Sequence, residues 1–307
     1  YIKMSSKIID LGTGKISPFL DSNWIRMPFI WSPDSTAIAF ISGPSTFNNM
    51  GKNLSKETIP NDYDGQVYHY NIKSKMAKCL TKTFKPSVNT IFWSSRSILY
   101  FKVTDQSYSR LYSYNLQKHR FKKINSLVDY VNHVDIKQRT AIYSGSSTGR
   151  YPKLYINQLG SGSVRVLKDY NQTMFKDVQF GKCIDWDFTS SAKRVVKGRL
   201  YFPPNFDPKK KYPCIVYYYG GTSPVTREYG GRYPKNWYAA NGYIVYVLQP
   251  TGATGFGQKA SSVHVNDWGR VTSKEIIEGV DKLIAAHPYI NPKGIGSMGA
   301  SYGGFLT

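Results

Sequence analysis

Gly299-Ala300-Ser301-Tyr302-Gly303-Gly304 is the stretch that decides how this chain reads. A serine with glycine two residues before it and two residues after it matches a nucleophile elbow, in which a strand turns sharply into a helix and lifts the hydroxyl clear of the sheet. The need for glycine is steric: the serine backbone is strained, and a side chain at either flanking position would strike neighbouring backbone. Gly294-Ile295-Gly296-Ser297-Met298 supplies the strand. Farther upstream, Ile276, Ile277, Val280, Leu283 and Ile284 recur at helical spacing. They predict a helix packed on the sheet by that face, with Thr272 as N-cap, Glu275 at capping-box distance and Pro288 as its stop. Two uninterrupted apolar runs, residues 214–219 and 243–248, lack the alternation of half-exposed strands and predict a sheet covered on both faces.

This order of elements predicts the front part of an α/β-hydrolase catalytic domain over residues 176–307, a doubly wound and mostly parallel sheet ending just after the elbow. Ser301 is the candidate nucleophile. The backbone N–H that follows it, on Tyr302, and a donor from the Tyr219-Gly220-Gly221 loop stand where the two halves of an oxyanion hole belong. A neutral serine hydroxyl is a weak nucleophile until a histidine takes its proton and an acid orients that histidine, and in this fold the acid and the histidine follow the serine in the chain. Residues 302–307 contain neither. The expectation is that both lie beyond residue 307, so that this stretch alone is inactive. His264, read as a loop residue, and His287, read as a cation meeting a helix C-terminus, precede the elbow and are given structural roles.

Residues 1–175 have a different grammar, with short Tyr-, Ile- and Val-rich runs divided by Gly, Asn, Asp and Ser turns. A strand, a polar turn and a second strand recur around residues 8–16, 67–75, 111–118 and 154–162. The later copies are about 40 residues apart, the period of a four-stranded propeller blade. Trp31-Ser32-Pro33-Asp34 and its echo Phe92-Trp93-Ser94-Ser95 open linked strand-turn-strand units. The stretch 46–63 reads as an insertion within one blade, with Glu57 on its surface. Three to four blades fit this length, so the expectation is an all-β, partial propeller whose N-terminal edge is cut. The start, Tyr1-Ile2-Lys3-Met4, carries no initiator Met and no signal-peptide pattern, consistent with a chain that begins mid-protein.

Composition narrows the remaining classes. The chain has 307 residues, 41% of them apolar, enough for two cored domains. Its net charge of +22 comes from lysines scattered throughout, and the densest cluster, Lys209-Lys210-Lys211, reads as a solvated loop. No nucleic-acid partner is inferred from it. No apolar run is long enough to span a bilayer. The three cysteines, Cys79, Cys183 and Cys214, have no C-x-x-C spacing, and no metal or cofactor is called for; Cys214 reads as a small buried hydrophobe.

Several segments together resemble the prolyl oligopeptidase family of serine peptidases, in particular its dipeptidyl-peptidase-IV-like and acylaminoacyl-peptidase-like branches. They are Lys211-Tyr212-Pro213, Tyr219-Gly220-Gly221, residues 252–258, Asn266-Asp267-Trp268-Gly269 and Gly299-Ala300-Ser301-Tyr302-Gly303-Gly304-Phe305. The resemblance implies a peptidase whose propeller limits access to short peptides. It further implies that Ser301 attacks the scissile carbonyl while the Tyr302 N–H and the Tyr219 hydroxyl hold the oxyanion. Dipeptidyl peptidases of this family anchor the substrate amino terminus with adjacent glutamates, and no Glu-Glu pair occurs here. A homo-oligomer is compatible with the sequence. Two other readings stay open: an esterase of the same fold, and a non-catalytic propeller module that binds a partner.

Overall fold

The computed structural model describes residues 5–21 and 25–307, so the reading of Tyr1-Ile2-Lys3-Met4 lies outside the described residues. The first half is a succession of antiparallel meanders. A hairpin, β1 (Ser5–Ile9) with β2 (Ile16–Asp21), turns where the Asp10 carboxylate accepts from the backbone of Gly12 at 2.9 Å and Thr13 at 2.8 Å. The first four-stranded meander comprises β3 (Ile25–Trp31), β4 (Ala37–Ser42), β5 (Gln66–Asn71) and β6 (Met76–Cys79). Its first turn is tied by Asp34, which accepts from the Ser32 hydroxyl at 2.7 Å and the Thr36 hydroxyl at 2.8 Å.

The second meander comprises β7 (Ser87–Ser95), β8 (Ile98–Asp105), β9 (Tyr108–Asn115) and β10 (Arg120–Ile124). The third comprises β11 (Tyr130–Lys137), β12 (Thr140–Ser147), β13 (Arg150–Gln158) and β14 (Ser163–Lys168). A single parallel pairing, Tyr130 with Ser109, joins the second to the third. Among the described residues the strand ladders do not close these meanders into a ring. What holds them together is side-chain packing with a period of two. Along β8, Leu99, Phe101 and Val103 enter a core shared with β4 and β5, while Tyr100 enters the core shared with the third meander.

The four-residue α1 (Thr46–Asn49) lies in the long β4–β5 connection, and α2 (Gln172–Phe175) follows the third meander. Glu57 is exposed. Next come β15 (Cys183–Asp185), β16 (Phe188–Thr189), β17 (Val195–Tyr201), β18 (Tyr212–Tyr217), β19 (Ile244–Gln249) and β20 (Ile290–Met298). The order β15-β17-β19-β18-β20 is parallel only across β19-β18-β20, and β15, β16 and β17 join antiparallel. The expectation of a mostly parallel sheet is corrected to that extent. Within the sheet, α3 (Lys235–Ala240) follows β18, and α4 (Gln258–Ser261) and α5 (Arg270–Ala286) follow β19.

Alternate residues of β19 face opposite layers, as a strand covered twice requires. Ile244, Tyr246 and Leu248 pack toward Ile276 and Leu283 of α5, whereas Val245 and Val247 pack toward Ala239 of α3. Cys214 is buried in the α5-facing core, where desolvation pushes its thiol pKa up to about 12. Among the described residues no helix is long and apolar enough to cross a membrane.

Two predicted details of α5 are corrected. Thr272 and Glu275 are not a capping box: the helix begins at Arg270 after Gly269, whose φ is +106°, and the Asp267 carboxylate accepts from the N–H of Gly269 at 3.1 Å and of Val271 at 3.3 Å. Glu275 is instead 2% exposed and accepts from the Thr251 N–H at 2.7 Å, the Thr251 hydroxyl at 3.0 Å and Arg194 at 2.8 Å. Ile277 points to solvent, and the buried face runs through Thr272, Glu275, Ile276, Gly279 and Leu283.

Each meander is bonded to the mixed-sheet half. From the first, Gly51 O accepts from Gln258 Nε2 at 2.8 Å, the Asn53 N–H donates to Gln258 Oε1 at 2.8 Å, Asn61 Nδ2 donates to Ser261 O at 3.2 Å, and the Ser261 hydroxyl donates to buried Asp64. From the second, the Gln106 N–H donates to Gly255 O at 2.9 Å and Ser107 Oγ accepts from Arg227 Nε at 2.9 Å. From the third, Ser146 Oγ accepts from the Tyr229 N–H at 3.1 Å and Thr148 O from Asn236 Nδ2 at 2.7 Å.

Candidate active site

Ser301 stands between β20 and the short helix α6 (Tyr302–Leu306) with φ 53° and ψ −117°, a conformation non-glycine residues rarely adopt. The glycines around it show why it can be held there. A Cβ on Gly299 would lie 2.3 Å from the Gly303 carbonyl oxygen, and a Cβ on Gly303 would lie 2.6 Å from the Tyr218 carbonyl oxygen. The turn is closed by the Gly303 N–H donating to Ala300 O at 2.9 Å and the Phe305 N–H donating to Ser301 O at 3.0 Å. Ser301 itself is exposed.

The loop after β18 packs beside the elbow. Gly220 has φ +72°, and a Cβ there would meet Leu306 Cδ1 at 2.4 Å and Thr272 Cγ2 at 2.8 Å, so the loop backbone rests directly on α6 and α5. Tyr219 and Ser301 line one cavity of about 330 Å³, together with Tyr217, Ala300 and residues of the segment 223–235. The Tyr219 ring lies 6.5 Å from that of Tyr302. The side chain of Tyr302 packs away from this cavity, with its ring edge-on to His264 at 5.0 Å and its buried hydroxyl without a hydrogen-bond partner among the described residues. Burial, and next the Asp267 carboxylate, push its phenol pKa up. The Tyr302 backbone N–H lies in the first turn of α6, where helix N–H groups have no intrahelical acceptor.

Neither upstream histidine is hydrogen-bonded to Ser301 among the described residues. His264 ends a 3-10 turn (Ser262–His264) rather than lying in an irregular loop, and desolvation lowers its pKa. His287 caps α5, but its ring is buried against Trp186 at 5.2 Å, its Nδ1 shares a 2.8 Å hydrogen bond with the Tyr289 hydroxyl, and desolvation lowers its pKa. The expectation that His287 acts as a cation on the helix dipole is therefore corrected: burial favours the neutral ring.

Sequence reasoning missed the segment that closes the cavity, including Pro224, Val225, Glu228, Arg232, Tyr233 and Lys235. It is shaped by Arg199, 2% exposed on β17, whose guanidinium donates to Val225 O at 3.1 Å and to Thr226 O. Gln249, also buried, accepts from the Val225 N–H at 2.7 Å. An arginine directly before Leu200-Tyr201 in the strand Val195-Val196-Lys197-Gly198-Arg199-Leu200-Tyr201 was the available signal.

Residues 232–307 match the model of the prolyl oligopeptidase family. Among curated proteins, the chain is 30% identical over 210 residues to dipeptidyl-peptidase 5 of Porphyromonas endodontalis, covering 67% of this chain and 30% of that protein. It is 25% identical over 278 residues to dipeptidyl-peptidase 5 of Porphyromonas gingivalis, covering 90% of this chain and 39% of that protein. The chain thus spans about a third of the length of these relatives, between 30% and 39%. Among solved structures, an acylaminoacyl peptidase of Pyrococcus horikoshii superposes over 96% of this chain and 43% of its own, with a TM-score of 0.76 at 20% identity. Dipeptidyl peptidase 4 of Porphyromonas gingivalis superposes over 99% of this chain and 42% of its own, with a TM-score of 0.73 at 16% identity. These two likenesses concern the fold.

Proposed function

From a chain that resembles the prolyl oligopeptidase family, with the family's match at residues 232–307, we propose that the full-length protein is a serine peptidase acting on short peptides through an acyl-enzyme on Ser301. The observation that carries this reading is the elbow: a serine held at φ 53° between strand and helix by two glycines with no room for a Cβ, opening on a cavity it shares with Tyr219. In the proposed reaction the Ser301 oxygen attacks the scissile carbonyl and its proton passes to a histidine. That proton then goes to the departing amine, and water repeats the sequence to free the acid. The Tyr302 N–H and the Tyr219 hydroxyl receive the charge that develops on the carbonyl oxygen. The chain order of this fold puts the acid and the histidine after Ser301.

In the same reading, residues 1–175 are the last blades of a β-propeller and 176–307 the first part of the catalytic domain. The three four-stranded meanders and the helix-covered mixed sheet support that division. The test compares the full-length protein with its Ser301→Ala variant on dipeptidyl anilides, N-acylaminoacyl anilides and simple acyl esters. Turnover of the anilides that disappears with the variant is expected. Turnover of esters alone would replace this reading with the esterase, and anilide turnover unchanged by Ser301→Ala would remove Ser301 from the chemistry.

A further inference from the structure

A cavity of about 720 Å³ opens where the meanders meet the mixed sheet, apart from the one that Ser301 lines. One wall comes from the turn between β6 and β7, with Lys82 and Lys85. The other comes from the turn before β17, with Lys193 and Arg194, and from α4, with Lys259. Five cations thus line one space, and no acidic residue lines it with them. Among the described residues none of the four lysines has a carboxylate within ion-pair distance. Arg194 Nε donates to Glu275 at 2.8 Å, but that carboxylate is not part of the lining, and the two Nη groups of Arg194 have no acceptor among the described residues.

The backbones that carry these charges are fixed. Gly257 rests on the stem of Lys85, so that a Cβ there would lie 3.4 Å from Lys85 Cγ. Gln258 Nε2 donates to Lys82 O at 3.4 Å as well as to Gly51 O at 2.8 Å. Across the cavity, the Lys193 N–H donates to Ser190 O at 2.8 Å, the Ser190 N–H to Arg194 O at 2.8 Å, and the Ser191 N–H to the Glu278 carboxylate at 2.7 Å. Like charges held in one cleft by their backbones repel one another, and an anion between them relieves that repulsion. Phe84 and Phe256, both half-buried, supply the apolar part of the wall.

We propose that this cavity binds an oligophosphate chain, free or carried by a nucleotide, and that the bound chain clamps the meanders to the mixed sheet. The inference is independent of the chemistry assigned to Ser301. Linked phosphates carry several charges along one chain and so meet lysines on both walls at once, whereas a single carboxylate neutralises only one or two. The free Nη groups of Arg194 form a fork that suits two phosphate oxygens, and the lysines act as point charges on the rest. The volume is that of a small-molecule site, and the two phenylalanines offer a surface for a nucleobase.

The test is calorimetric titration of the full-length protein, at fixed ionic strength, with sodium triphosphate, ATP and citrate. Saturable binding of triphosphate or ATP is expected. Lys85→Gln on one wall and Lys193→Gln on the other should each weaken it about 10-fold or more, as for the loss of a hydrogen bond to a charged group. Lys209→Gln with Lys210→Gln removes two charges from an exposed loop outside the cavity and should leave the affinity unchanged. Tighter binding of ATP than of triphosphate assigns the site to a nucleotide; equal or tighter binding of triphosphate assigns it to the free chain. The proposal is overturned by the absence of saturable binding, by a loss confined to one wall, or by an equal loss in the Lys209 and Lys210 variant, which would mean attraction to net charge alone. Citrate binding as tightly as triphosphate overturns the assignment to phosphate. A clamp must also raise the melting temperature as triphosphate is added, and a melting temperature that stays flat at saturation removes that role.

Discussion

At the scale of single residues, the elbow sets a local constraint: three backbone positions within five residues call for glycine, serine and glycine, whatever surrounds them. The same constraint makes predictions. Threonine at position 301 would place a β-branched side chain at φ 53°, whereas cysteine, like serine, carries one γ atom. Ser301→Cys should melt like the wild type and Ser301→Thr several degrees lower, as followed by thermal unfolding. Gly303→Ala must displace the Tyr218 carbonyl, 2.6 Å from the new Cβ, at a cost of about 1–3 kcal/mol; urea midpoints will register it. Tyr219→Phe removes the proposed phenol donor and should lower kcat about 100-fold with little change in KM. The histidines give a pH dependence. Because burial holds the folded pKa of His287 below its ordinary 6.5, the unfolded chain takes up a proton that the folded one refuses as pH falls below that value. Stability is therefore lost toward acid. The melting temperature should drop between pH 7 and pH 5, and His287→Phe should drop less over the same interval.

At the scale of elements, what could be read depended on whether the deciding contacts lie near in sequence. The hairpin turns were readable because Asp10, Asp34 and Asn115 tie their own loops, Asn115 accepting from the N–H groups of Gln117 at 3.0 Å and Lys118 at 2.8 Å. The start of α5 was misplaced because the acceptor for its first N–H groups, Asp267, lies before a left-handed Gly269 instead of at the cap. Glu275 has a partner 24 residues upstream that no helical periodicity records. The cavity segment escaped for the same reason: Arg199 and Val225 are 26 residues apart and meet only once the sheet has formed. Helix α5 also holds a glycine that helix propensity would replace. Alanine at 279 gains about 1 kcal/mol of propensity, but its Cβ would fall 2.3 Å from Leu248 Cδ1 and 2.9 Å from Phe188 Cε1. Gly279→Ala is expected to be destabilising on balance, and chemical denaturation will give the sign.

At the scale of the whole molecule, the sequence changes grammar near residue 176, but the contacts that join the meanders to the mixed sheet were not legible in it. The stretch 46–63 read as an insertion within one blade, yet its Gly51, Asn53 and Asn61 bond to Gln258 and Ser261, some 200 positions away along the chain. Gln258→Ala leaves the Gly51 carbonyl and the Asn53 N–H without their partner. Faster tryptic cleavage at Lys52 or Lys56 is the expected outcome, with the proposed catalytic half otherwise folded. Three points of attachment, one from each meander, define a plane as the feet of a tripod do. Swinging either half about any one foot would tear out the other two. The mixed sheet is thus moored separately to each of three meanders, and losing the bonds of one leaves it held by the other two.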